Sequence, residues 1–355
     1  MKAAVYYGAR DVRVDEAQAP DGPQGPHDVL LETKWCGICG TDLHEYAAGP
    51  IVIPAESHPL TGARLPQILG HEFSADVLAI GPQVTNVRVG DRVSVMPLLY
   101  CGECYYCRRG QNHLCTRMAC VGLSWAWGGL GRLAVVRDYN VAPLPDELSY
   151  EQGALVEPAA VAAWGVEGGG VRPGHVVLVA GGGPIGCLAV LAALSAGAAR
   201  VFVSEPNPRR RTLCGALGAS EVFDPTSADL ASEIQERTEG LGADVCLECA
   251  GNQGALNACL EACRPQGTVV QTGLHVRPAE IDPFILARKE VALVGTWCYP
   301  VQGWPRLFSQ VASGRFPIEK VVTCKIPLNE IVPRGFQALL DPAGADIKVL
   351  VNTEC

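Results

Sequence analysis

Nine residues, Cys36-Gly-Ile-Cys39-Gly-Thr41-Asp42-Leu-His44, crowd thiol, hydroxyl, carboxylate and imidazole groups into one short stretch. Each type has work beside a divalent metal: a thiolate binds the ion, a hydroxyl passes a proton, and a carboxylate orients a second ligand. One stretch cannot close such a site. Two distant ones, Gly70-His71-Glu72 and Val156-Glu157-Pro158, supply an imidazole and carboxylates. Together they make a Cys, His, Glu set that leaves a fourth position for water or substrate, the arrangement of a catalytic rather than a structural zinc. Cys36 and Cys39 also form a C-x-x-C pair, so a redox dithiol stays open as an alternative. Such a pair should open a helix after a strand in a βαβ unit, and the glycines, prolines and short apolar runs that follow do not suggest one.

A second cluster, Cys101-Gly-Glu-Cys104-Tyr-Tyr-Cys107 with Cys115 beyond it, places four thiols in one loop. Four thiolates enclose a tetrahedral zinc with no open position. An iron-sulfur cluster is the rival, because C-x-x-C-x-x-C also opens ferredoxin motifs. Those continue with a closer fourth cysteine and a proline, whereas Thr116 follows Cys115 here.

A third motif has the pattern of a phosphate-binding loop. The apolar run Val176 to Ala180 leads into Gly181-Gly-Gly183-Pro184-Ile185-Gly186, and an apolar helical pattern from Cys187 to Ala196 follows. In this strand-loop-helix context the glycines permit a tight turn, close approach of a pyrophosphate and close helix packing. The helix start adds free amides and the positive end of a dipole. Another strand, Arg200 to Ser204, ends at Glu205, placed to bond the ribose hydroxyls and so to favour NAD. Arg209 and Arg210 keep NADP open, since either can face a 2'-phosphate; both also read as the solvated first turn of a helix after Pro208.

The elements carrying these motifs fall into two kinds. Up to about Pro145, short valine- and leucine-rich runs such as Val29 to Glu32, Val77 to Ile80 and Arg92 to Val95 read as strands of an irregular β domain. An alanine-rich helix from Ala154 to Val166 then introduces regular βα alternation. Its strands are expected at Arg200 to Ser204, Glu221 to Phe223, Asp244 to Glu248, Thr268 to Gln271 and Val291 to Gly295. The stretch from Trp297 onward breaks that rhythm, with helices near Pro305 to Ser313 and Ile331 to Leu340 and strands at Val321 to Ile326 and Lys348 to Val351. It is expected to rejoin the first domain.

Composition removes several classes of function. A chain of 355 residues has room for two cored domains. A formal charge of -9 argues against a nucleic-acid surface. The opening Met1 to Tyr7 reads as an edge strand without the apolar core of a signal peptide. The uncharged run from Val176 to Ala199 is broken by its glycines into pieces too short to span a bilayer, so a cytoplasmic protein is expected. Sixteen cysteines in a chain of this length suit metal binding plus buried free thiols better than a disulfide framework.

With these motifs in this order, the chain resembles the zinc-dependent medium-chain dehydrogenases over nearly its full length. His44-Glu45-Tyr46, His58-Pro-Leu-Thr-Gly62, Ile68-Leu-Gly-His71-Glu72 and Ser204-Glu205-Pro206 look like the branch that acts on diols and polyols. The resemblance implies an α/β protein: a GroES-like irregular β catalytic domain (1–155 and 297–355) plus a doubly wound parallel-sheet Rossmann domain (156–296), with the active site in the cleft between them. It implies NAD and two zinc ions per subunit. Cys39, His71 and Glu157 would hold the catalytic zinc, with Glu72 beside it; Cys101, Cys104, Cys107 and Cys115 would hold the structural one. Thr41 would hydrogen-bond the substrate oxygen, His44 would relay its proton, and Asp42 would orient His71. Gly181, Gly183, Pro184, Ile185, Gly186, Glu205 and Arg210 would contact the dinucleotide. The implied reaction interconverts a secondary alcohol and a ketone, with 2,3-butanediol and acetoin as the first substrates and sorbitol- or xylitol-like polyols as the alternative. The implied assembly is a homo-oligomer, dimer or tetramer. Trp125, Trp127 and Trp297 read equally as pocket lining or as packing.

Overall fold

The computed structural model describes residues 1–354. The chain divides into two compact units, one of Met1–Glu157, Pro300–Ala312 and Val322–Cys355, the other of Pro158–Tyr299 and Ser313–Val321. Residues 313–321 thus leave the segment expected to return to the first domain. The reason is burial: Phe316, Ile318 and Val321 are fully buried, and this piece packs on the helix that follows the glycine loop.

The first unit is built on a mostly antiparallel sheet. Strand β1 (Asp28–Gly37) runs at its centre, and helix α1 (Gly40–Ala48) follows it directly. Strands β2 (Glu72–Ile80), β3 (Arg92–Val95), β4 (Leu133–Arg137) and β5 (Val141–Pro143) come next. The sheet order is β5-β3-β2-β1, then Lys348–Asn352, then Val322–Pro327, with β4 also pairing on β1. Val29, Leu31, Phe73, Ala75, Val93 and Val95 form the core, and the buried residues between them on the second and third strands, Ser74 and Ser94, are polar. Lys2–Gly8 belongs to a separate three-stranded sheet, at its centre rather than at its edge.

Helix α1 corrects one step of the sequence reading. The C-x-x-C motif does open a helix after a strand, because Asp42 caps the first turn of a segment whose glycine and threonine are otherwise poor helix formers. No βαβ unit results, since β1 pairs antiparallel with β2 and β4. The two sulfurs also have separate surroundings: Cys36 is fully buried with its thiol on the Gly37 carbonyl, and Cys39 lies beside Thr41.

Helix α2 (Tyr150–Gly168) carries the chain into the second unit. There the elements are β6 (Val176–Ala180), α3 (Pro184–Ser195), β7 (Arg200–Ser204), α4 (Pro208–Ala216), β8 (Glu221–Phe223), α5 (Leu230–Glu236), β9 (Ala243–Glu248), α6 (Gln253–Ala262), β10 (Cys263–Gln271) and β11 (Ala292–Gly295). All six strands are parallel, in the order β8-β7-β6-β9-β10-β11. This is the doubly wound arrangement, whose order reverses between β6 and β9. Val177, Leu178 and Val179 are fully buried, as are Val201, Phe202 and Val203; such unbroken apolar runs suit strands covered on both faces. The helix expected from Ile331 to Leu340 is instead a wide π turn over Ile331–Gln337 followed by Ala338–Leu340. Pro333 lies inside that turn and brings no N–H to an ordinary helical ladder. Among the described residues no helix is long and apolar enough to cross a membrane.

Candidate functional site

Cys39 immediately precedes α1, and Asp42 on the first turn accepts its backbone N–H through Oδ2 at 2.9 Å. That bond fixes how the chain leaves β1 and hence where the thiol stands. Thr41 Oγ1 lies 3.8 Å from Cys39 Sγ. His44, half-buried, is three residues further on and shares the helix face with Thr41.

The second contribution comes through Gly70, whose φ of +98° is left-handed. A side chain there would be strained and would also run into the Leu130 amide and the Cys36 sulfur, at 2.5 and 2.7 Å. This tight turn delivers His71 and Glu72 to the start of β2, where the register pairs Gly37 with Glu72. Donor atoms of Cys39, His71 and Glu72 then lie within 4.8 Å of one another. They fit a shared ion, since modest side-chain shifts bring such atoms to the usual ~2.0–2.3 Å from zinc. Glu157 is buried nearby, and its charge acts on His71 and Lys348, but it stands outside this set. The structure therefore groups Glu72, rather than the expected Glu157, with the thiol and imidazole.

The charge around these donors also suits a cation. Burial opposes a charged His71, yet Asp42, Cys39 and Glu157 outweigh it and hold the imidazole pKa well above its ordinary range. Burial pushes the Cys39 thiol up, although His71 beside it works the other way. His71 Nδ1 is 3.7 Å from Asp42 Oδ1, an electrostatic separation, and neither atom has a hydrogen-bond partner among the described residues.

Sequence reasoning missed Lys348. It is fully buried at the start of the strand beside β1; its Nζ donates to the Ile38 carbonyl at 3.1 Å and forms a short ion pair with Glu72 Oε2. The missing side chain of Gly37 leaves room for that pair, because a Cβ there would collide with the Glu72 carboxylate and crowd Lys348 Nζ at 3.1 Å. Burial disfavours its charge, but Glu72 and Cys39 prevail and raise its pKa. A lysine opening an apolar strand gives no local signal of such a role.

The four cysteines of the second cluster come together as expected. Sulfur separations are 3.5 Å for Cys104–Cys107, 3.6 Å for Cys101–Cys115 and 4.0 Å for Cys101–Cys107. Four thiolates about 2.3 Å from one tetrahedral zinc stand about 3.8 Å apart, so these distances fit a single ion and leave no room for a multi-atom cluster. Backbone N–H groups of Cys101, Cys104 and Arg117 point at the sulfurs at 3.4 Å. Such donors, from Cys107 and Thr116, hold the Cys104 thiol down to about 6, and burial with the neighbouring Cys104 sulfur pushes Cys107 up to about 12.

In the second unit the glycine loop takes the shape its sequence predicts. Gly181 has φ +108°, and a Cβ on Gly186 would overlap the Gly181 carbonyl. Gly183 faces open space and caps α3 without a side-chain bond, while Pro184 at the first turn has no N–H to waste. The amides around Ile185 and Gly186 are thus left for an anion. A cavity of about 700 Å³ opens there, lined by Gly181, Gly183, Glu205, Arg210 and Asn252 among others. Glu205 is nearly buried, and its oxygens accept N–H groups of Gly182 at 2.7 Å and Asn207 at 2.8 Å. Arg210 Nε is buried without a hydrogen-bond partner among the described residues. These residues fit a dinucleotide. Trp125 and Trp127 are packing residues: they stack edge to face at 6.4 Å against the core, and Trp125 Nε1 donates to the Val135 carbonyl at 2.7 Å.

The buried Glu72–Lys348 pair carries a direct expectation. Lys348→Met keeps the length but strands a carboxylate, so unfolding stability should fall by about 3–5 kcal/mol. Urea denaturation checks this; a loss of less than about 1 kcal/mol, the level of an exposed pair, would refute it.

Residues 25–146 match the alcohol dehydrogenase GroES-like domain, and residues 184–313 match the zinc-binding dehydrogenase domain. The chain is 38% identical over 353 residues to the (R,R)-butanediol dehydrogenase of Bacillus subtilis, covering 99% of each. The crystal structure of the 2R,3R-butanediol dehydrogenase from that organism superposes with a TM-score of 0.92 at 38% identity, again covering 99% of both chains. A zinc-binding dehydrogenase from Sinorhizobium meliloti bound to NADP gives a TM-score of 0.87 at 30% identity, over 99% of this chain and 98% of that one. With both domains matched and a relative aligned end to end, the chain belongs to the zinc-binding, medium-chain alcohol dehydrogenases, enzymes that act on CH–OH groups.

Proposed function

We propose that this protein interconverts vicinal diols and hydroxyketones, (R,R)-2,3-butanediol and acetoin first among them, using NAD. The observation that carries the reading is the full-length likeness to (R,R)-butanediol dehydrogenase in a chain that groups Cys39, His71 and Glu72 beside Thr41. When bound, zinc supplies Lewis-acid stabilisation of negative charge on the substrate oxygen, and NAD supplies the hydride acceptor. Thr41 takes up the hydroxyl proton of the alcohol, and His44, one turn along α1, passes it outward. Asp42 anchors the start of α1 so that Cys39 and Thr41 keep their spacing. Glu205 favours NAD, because a 2'-phosphate would meet its charge in the cavity it lines.

The test is a comparison of initial rates. Substrate-dependent NADH absorbance should be highest with (R,R)-2,3-butanediol and weak with sorbitol, and NAD should exceed NADP by at least about tenfold in kcat/KM. A preference for sorbitol would displace the substrate assignment, and a preference for NADP would shift the decisive role to Arg210.

Two metal sites are part of the proposal. Elemental analysis should find about two zinc ions per chain. Cys39→Ser should abolish turnover while the protein stays folded, whereas Cys115→Ser should lose one ion and lower the Tm, since closed tetrahedral sites contribute folding energy. The reverse pattern would mean that the two sites are exchanged. None of the described cysteines is in a disulfide, which suits a reducing compartment such as the cytoplasm.

The second unit also supports self-association. β11 is an edge strand with Ala292, Leu293 and Gly295 exposed, and an open apolar edge is a template for pairing with a second copy of itself. Leu293→Lys should shift a dimer or tetramer toward monomer in sedimentation velocity. An unchanged sedimentation coefficient would rule out this edge.

A further inference from the structure

Glu248 is the last residue of β9, directly across the order reversal from β6 and its glycine loop. Its side chain is fully buried, and His275 is its only ion-pair partner among the described residues, with Nε2 at 3.4 Å from Oε2. Burying a carboxylate without a permanent cation is unfavourable by several kcal/mol unless its lone pairs are filled. They are filled from two directions. Oε1 accepts the backbone N–H groups of Ala250 at 2.9 Å and Gly251 at 2.8 Å. Oε2 accepts Gln271 Nε2 at 2.6 Å, and the same amide donates to the Gly273 carbonyl at 2.8 Å. The Glu248 backbone carbonyl accepts Thr272 and Gly273 N–H groups as well, at 3.0 and 2.8 Å.

One residue therefore holds two segments, 249–252 and 271–275, and they are interlocked. A Cβ on Gly273 would meet Gly251 N at 2.5 Å and Glu248 Oε2 at 2.7 Å, and one on Gly251 would strike the Leu274 carbonyl. The first segment also buttresses the glycine loop, since a Cβ on Gly181 would touch Ala250 at 3.0 Å. Ala250 and Asn252 line the cavity shared with Glu205, whereas Thr272, Gly273 and His275 line a second cavity of about 810 Å³.

We infer that Glu248 is a positioning residue for the dinucleotide's second half: its Oε2 side sets the 271–275 segment against the 249–252 turn that buttresses the glycine loop. The inference rests on the dinucleotide reading above. A dinucleotide straddles the crevice where strand order reverses. With its adenosine on the β7 side by Glu205, its other nucleoside falls over the ends of β9 and β10, where this segment lies. The carboxylate is thus retained for geometry, at a cost that an apolar residue would avoid.

Glu248→Gln separates the two functions. Its remaining carbonyl oxygen serves Ala250 and Gly251, while its amino group opposes the Gln271 amide, donor against donor. The test is calorimetric titration of the full-length protein with AMP and with NADH. The dissociation constant for NADH should rise about tenfold, the equivalent of one charge-assisted hydrogen bond, and that for AMP should stay within about twofold. The KM for NAD should rise with the NADH constant. Unchanged NADH affinity in a folded variant would overturn the inference; so would an equal loss for AMP and NADH, which is general loosening. Should Glu248→Gln not fold, Gln271→Met, which keeps the carboxylate and its bonds to Ala250 and Gly251, must show the same split or the inference fails. Wild-type protein that bound neither AMP nor NADH would overturn the dinucleotide reading itself, and the inference with it.

Discussion

The central constraint on this molecule is the gathering of anionic donors in a buried place. Cys39, Asp42 and Glu157 act on one imidazole and Glu72 lies beside it, and left alone such groups repel one another and resist loss of water. Sheet register holds them. β1 is clamped between β2 and the strand Lys348–Asn352, so that Gly37 faces Glu72 on one side and Leu350 on the other. Lys348 reaches across the gap left by Gly37 and offsets one of the charges. The grouping of Cys39, His71 and Glu72 depends on that three-strand alignment, because a slip of one residue would turn alternate side chains to the opposite face.

The second unit meets the same difficulty differently. Its two buried carboxylates, Glu205 and Glu248, are held chiefly by backbone N–H groups rather than by lysine or arginine. Amide donors belong to the chain's own turns, so each carboxylate fixes loop shape while it is being neutralised. In a doubly wound sheet those turns lie at the carboxyl ends of the strands, where ligands bind. Rigid loops and ligand contacts thus arise from the same hydrogen bonds.

Much of this could be read from the chain where the determinants are local. The cysteine quartet and the glycine loop are each complete within a few residues, and the strands at Val176–Ala180, Arg200–Ser204 and Glu221–Phe223 end where their apolar runs end. Helix α1 was less legible, because it is established by the Asp42 cap rather than by helix-forming residues or an apolar stripe. Long-range partners left no local trace. Lys348 pairs with a residue 276 positions earlier, and nothing in Lys-Val-Leu-Val announces it. The grouping of Glu72 instead of Glu157 with Cys39 and His71 likewise depends on where a strand and a helix lie in space.

The strand that completes the first sheet comes 310 residues after Ile38, which it contacts through Lys348. During vectorial synthesis all six strands of the second unit precede this one out of the ribosome. Until then β1 lacks a neighbour and Glu72 lacks its ammonium partner, while Cys36 and Cys39 sit at an unfinished edge. The nascent polypeptide therefore passes through an interval in which the second unit's parallel sheet is complete while the first sheet, with five of its seven strands, is still open beside its thiols.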